Sequence, residues 1–118
     1  MKDDRLYLIH ITETIARIEA YASGDRERFM SSLLIQDAVI RNLQVLAEST
    51  QRLSDAIKAR HPTIDWRGIA GLRNVLVHEY LGVDIERVWQ IVERDLPAMR
   101  NATTAMLRQL GNPADETA

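Results

Sequence analysis

The chain has 118 residues, 46% hydrophobic and 27% charged, which is the length of one domain with enough apolar content to form a core unaided. Its 15 Lys and Arg against 17 Asp and Glu leave a formal net charge of -2, which argues against binding nucleic acid through bulk positive charge. With no cysteine, a disulfide scaffold, a thiolate metal site and thiol catalysis are excluded. No apolar run approaches the ~18 residues of a membrane span, and Asp3, Asp4 and Arg5 do not suit a signal peptide, so a soluble cytoplasmic domain is expected.

The apolar spacing is helical nearly throughout. Leu8, Ile11, Ile15, Ile18 and Ala22 step by threes and fours and predict a first helix over 4–21. Asp3 or Asp4 is placed to cap its start, and Gly24 stands where it should stop. Ile35, Val39, Leu43, Leu46, Leu53 and Ile57 hold one phase, with only Thr50 polar among them, and no Gly or Pro interrupts 25–61. That pattern predicts one long second helix over 27–59, ended by Pro62.

A short third helix is expected from Trp66 to about His78, with Asp65 as its cap and Ile64 and Ile69 as a hydrophobic staple. Gly82 supplies a turn. Asp84 caps a fourth helix, with Val83 and Val88 as a second staple, running through Val92, Leu96, Met99 and Met106. Pro97 lies inside it and would clash with the carbonyl of Glu93, so a kink is expected rather than a stop. The expected architecture is all-α: an antiparallel four-helix bundle with a kinked fourth helix at Pro97. The helical domain covers 1–110, and 111–118 forms a small, polar, flexible tail.

The chemically informative run is Arg73-Asn74-Val75-Leu76-Val77-His78-Glu79-Tyr80. Arg73 and His78 are five apart, about 140° around a helix axis, and converge only if the helix frays and His78 swings round. A purely structural role also fits. Arg73 then pairs with an acid of the second helix such as Glu48, His78 interacts with the helix C-terminus, and Tyr80 is a half-buried cap. On the residues alone this blander reading is the stronger one. Asn74 suits either a phosphate or sugar contact or a local bond to the second helix. Glu79 is expected to face solvent.

Other residues carry weaker signals. Arg41 and Glu48 are seven apart and share a face, as an orienting network beneath Arg73 or as a plain ion pair. His10 and His61 have no motif around them. Trp66 and Trp89 read as packing anchors, and Gly68 and Gly71 hint that a helix or a substrate backbone comes close. His78-Glu79 lacks the second histidine of a zinc protease helix, no Glu-x-x-His pair suits a di-iron bundle, and no glycine loop cradles phosphate.

The run RNVLVHEY resembles the R-x4-H-x-Y signature of the HEPN superfamily, specifically its HepT-like branch. The resemblance extends through TIDWRGIAGL before it, LGVDIERVWQIVERDLP after it, and DAVIRNLQVLAESTQRLS in the second helix. It implies a metal-independent endoribonuclease toxin of a type VII-like toxin–antitoxin system, neutralised by a minimal nucleotidyltransferase. Arg73 and His78 would be the catalytic pair, with Asn74 and Arg67 supporting RNA. Tyr80 would be the hydroxyl that the partner adenylylates with ATP, so the chain needs no cofactor or metal of its own. Where many relatives have Gly-Glu in the second helix, this chain has Ala47-Glu48, which reads as a packing change.

The residue types suit that chemistry. Metal-free RNA cleavage needs a base for the 2′-hydroxyl, an acid for the leaving 5′-oxygen and a cation for the charge on phosphorus. Histidine titrates near working pH, and the arginine fork fits phosphate oxygens. One His78 cannot easily act as base and acid together, whereas a two-fold homodimer gathers two His78, two Arg73 and two Arg67 around one cleft. The alternative is a non-catalytic bundle that serves as binding partner or substrate of a nucleotidyltransferase. A dimerisation bundle without chemistry is the weakest reading.

Overall fold

The first apolar stripe does what its spacing demands. In a computed structural model that describes residues 2–111, without the side chains of Lys2 and Tyr80, helix α1 spans Lys2–Ala22. Its Leu8, Ile11, Ile15 and Ile18 are fully buried, each such side chain contributing roughly 1.5–3 kcal/mol. The helix stops at two residues in left-handed geometry, Ser23 (φ 53°) and Gly24 (φ 65°).

The single long second helix is not formed. It is three helices: α2 (Arg26–Ser31), α3 (Leu33–Gln51) and α4 (Asp55–Ala59). Serine makes both breaks, not glycine or proline. Ser32 is extended (φ -121°, ψ 108°), and its hydroxyl accepts from the Ile35 N–H to start α3. The Gln36 amide donates to the carbonyls of Phe29 and Met30, satisfying the end of α2. The elbow turns Phe29 inward, with its ring 5.3 Å from that of buried Trp89. Ser54, also extended, caps α4 through the Ile57 N–H.

Asp4 does not cap its own helix. It is buried inside the first turn of α1, and its carboxylate accepts from the Ser54 N–H at 2.8 Å and the Ser54 hydroxyl at 2.7 Å. The start of α1 is thereby tied to the α3–α4 junction, 50 residues away.

Helix α5 spans Trp66–His78 and is capped by Asp65, whose carboxylate accepts from the Gly68 N–H. A 3-10 turn, Tyr80–Gly82, leads to α6 (Ile85–Gln90), capped by Asp84 as expected. Pro97 does not end the helix. A π-helical segment, Ile91–Asp95, precedes it, and the Leu96 N–H donates five residues back to Ile91. The wider coil accommodates the missing proline donor, and α7 continues over Leu96–Leu110 to Gly111 (φ 71°). The proposed flexible tail beyond Gly111 lies outside the described residues.

Every regular element among the described residues is helical. α3 packs against α1 on one side and α5 on the other, while α7 packs on α1. No described helix is long and apolar enough to cross a membrane. Because Asp4 satisfies two donors from a buried position, Asp4→Ala should destabilise the fold by about 1–3 kcal/mol in urea unfolding. An unchanged midpoint would show that this tie contributes nothing.

Candidate active site

Two helices build the site. Leu76 anchors the last turns of α5 in the core, 1% exposed. Facing it, α3 presents two polar residues one turn apart, Gln44 and Glu48. Gln44 Nε2 donates to the carbonyl oxygen of Leu76 at 2.9 Å. Arg73 Nη2 donates to Glu48 Oε1 at 3.4 Å, and Arg73 Nη1 donates to Asn74 Oδ1 at 3.4 Å.

Both arginine contacts are long. The Arg73 and Glu48 side chains are 31% and 47% exposed, so solvent screens the pair and limits it to between zero and about 1 kcal/mol. Arg73 Nε is buried and has no hydrogen-bond partner among the described residues. The guanidinium is therefore located but far from saturated, since it carries five N–H donors. Asn74 turns its oxygen to Arg73, and among the described residues no bond joins it to α3, unlike the local contact considered for it. Arg41 is exposed and joins no network with Glu48 among the described bonds.

His78 is the last residue of α5 and is exposed. The helix does not fray before it, and the Glu79 N–H closes the turn on the Val75 carbonyl at 2.9 Å. Arg73 and His78 thus stay about 140° apart around the axis, and no described hydrogen bond joins them. Glu79 is exposed. Tyr80 opens the 3-10 turn, and its side chain lies outside the described residues. Arg67 is exposed in the first turn of α5, six residues before Arg73 and about 120° round the helix. Three apolar side chains near His78 in sequence are exposed, Val75 at 44%, Val77 at 37% and Leu81 at 91%, alongside exposed Asn74 and Glu79.

Trp66 and His61 have structural partners. Trp66 Nε1 donates to the carbonyls of Lys58 and His61, and His61 Nε2 contacts Gln109 Oε1 at 3.2 Å. His10 is half-buried on α1. A cleft of about 620 Å³ opens between α5 and α7 over Leu43, Leu46 and Ala47 of α3, but neither Arg73 nor His78 lines it. Among the described residues no three of His, Asp and Glu are grouped as metal ligands.

The HepT-like family model, described as "Ribonuclease HepT-like", matches residues 11–106. The chain belongs to the HepT-like ribonuclease family. A "Probable ribonuclease HepT" of Thermococcus cleftensis is 36% identical over 95 residues, covering 80% of this chain and 86% of that one. A protein of Methanocaldococcus jannaschii named "Gamma-glutamylcyclotransferase and putative RNase" is 33% identical over 110 residues, 92% of this chain but 50% of that one. The chain therefore spans about half the length of that relative. No solved structure matches it.

Sequence reasoning missed Gln44, although its position four residues before Glu48 was a usable signal. It also misjudged both glycines of α5. A Cβ on Gly68 would lie 2.2 Å from the capping carboxylate of Asp65, whereas nothing lies within 4 Å of one on Gly71. The crowding at Gly68 is thus its own helix cap, and Gly71 has open space. Gly71→Ala should stabilise the fold by up to ~1 kcal/mol, whereas Gly68→Ala should lower stability by disturbing the cap. Thermal melts of the two variants moving in the same direction would contradict this.

Proposed function

We propose that this HepT-like chain is a metal-independent endoribonuclease that works as a homodimeric four-helix-bundle protein. One observation carries the reading. A solvent-accessible arginine with unused donors and an exposed histidine stand five residues apart on the last turns of one anchored helix. Arg73 binds the scissile phosphate and offsets the charge that builds on it. One His78 takes the 2′-hydroxyl proton as the 2′-oxygen attacks phosphorus. The partner subunit's His78 gives a proton to the departing 5′-oxygen. Asn74 and Arg67 assist in holding RNA.

The homodimer is supported by the chemistry and by the surface. A single chain keeps Arg73 and His78 on different sides of α5, so a complete site needs a second copy. The exposed Val75, Val77 and Leu81 beside His78 are the apolar residues that such an interface would cover.

We place the chain in a type VII-like toxin–antitoxin pair with a minimal nucleotidyltransferase. In that reading the Tyr80 oxygen attacks the α-phosphorus of ATP held by the partner, loses its proton, and releases pyrophosphate. The resulting adenylyl group adds bulk and negative charge two residues from His78, where RNA phosphate would sit. A second reading, a non-catalytic partner of the nucleotidyltransferase, draws on the Arg73–Glu48 contact, which gives Arg73 a structural role in one chain.

Two experiments separate these. The purified protein should cleave RNA in EDTA, and His78→Ala should slow cleavage by roughly 10²–10⁴-fold. Full activity of His78→Ala protein would remove His78 from the mechanism, and no cleavage by the wild type at any dose would favour the second reading. Incubation with the nucleotidyltransferase and ATP should add one adenylyl mass in intact mass spectrometry. Addition that survives in Tyr80→Phe would rule out Tyr80 as the acceptor.

A further inference from the structure

We infer that Gln44 is a positioning residue for His78, holding the last turn of α5 in register with Arg73. Helix α5 ends at His78, so the carbonyls of its final turn lack the usual helical donors. The Val75 carbonyl is satisfied by the Glu79 N–H. The Leu76 carbonyl is satisfied from another helix, by the side-chain amide of Gln44, 32 residues earlier in the chain. Water at a helix end would satisfy the same oxygen without ordering a long side chain. The distinctive effect of the Gln44 bond is therefore geometric.

It acts together with Glu48. The two lie one turn apart on α3, and their contacts on α5 are three residues apart: Gln44 to the Leu76 backbone, Glu48 to the Arg73 guanidinium. The backbone bond is short and the ion pair long and screened. Gln44 is thus the firmer hold, and the Leu76 carbonyl that it binds lies two residues before His78. Rotation of the last turn about its axis, which would re-aim the imidazole, has to break it. Glu48 releases Arg73 for phosphate, whereas Gln44 need not let go during turnover.

This inference rests on the ribonuclease reading, so its test carries a second readout. Gln44→Met keeps the volume and removes the donor, and Gln44→Asn keeps an amide but is one methylene too short. In both, kcat on RNA should fall about ten- to hundredfold while KM stays within about twofold, because binding by Arg73 persists and proton transfer is misaligned. Amide hydrogen exchange across 75–80 should speed up while the rest of α5 keeps its protection. Wild-type kcat in Gln44→Met, or a loss wholly in KM, would overturn the assignment. So would unfolding of both variants, which would make Gln44 a structural residue. If the wild type cleaves no RNA, the ribonuclease reading fails by itself, and exchange then decides: unchanged protection across 75–80 overturns the hold, and faster exchange there supports it.

Discussion

Helix α3 is packed on two sides at once, and the rest of the molecule follows from that constraint. Against α1 it presents an apolar seam, with Val39, Leu43 and Leu46 buried beside Ile11, Ile15 and Ile18. Toward α5 it presents Gln44 and Glu48. The first face makes a core, and the second lays a polar rail under the helix that carries Arg73 and His78. A helix held on one face only would leave its neighbours free to slide. Held on both, α3 transmits the rigidity of the core to an exposed helix end.

The site is consequently anchored through its backbone and loosely paired in its charge. Arg73 is held at 3.4 Å by a carboxylate that is nearly half exposed, a weak contact in water. A phosphate oxygen can accept shorter, charge-assisted bonds from the same fork. Under the proposed function, exchange of Glu48 for phosphate would be a local side-chain event. A near-neutral composition is compatible with the proposed function, because a single cation placed beside α3 would meet the phosphate without bulk positive charge.

Some of this was legible in the residues. The α1 stripe, the extent of α5 and the caps Asp65 and Asp84 follow from local rules, since an amphipathic helix and its first turn involve residues within four of one another. The division of 26–59 into three helices was not. Ser32 and Ser54 each start a new helix, Ser32 beside carbonyls of α2 that Gln36 satisfies and Ser54 with its N–H and hydroxyl bound by Asp4. A serine inside an apolar period reads equally well as a surface residue. Asp4 shows the same limit: at the start of a helix it looks like a cap, but its partner lies 50 residues on. The glycines of α5 looked like close-approach points, and only the tertiary structure distinguishes crowding by a cap from open space.

By itself, the sequence determined the helical class, the extents of α1 and α5, the start of α6 and the presence of Arg73, His78 and Tyr80 in one motif, because those depend on spacing along the chain. The tertiary structure decided what spacing cannot: that α5 stays regular through His78, that Arg73 and His78 remain apart in one chain, and that Gln44 and Glu48 of α3 contact Leu76 and Arg73 within the motif. Those outcomes are contacts between helices, set by which face the core leaves exposed after α1 and α3 have packed.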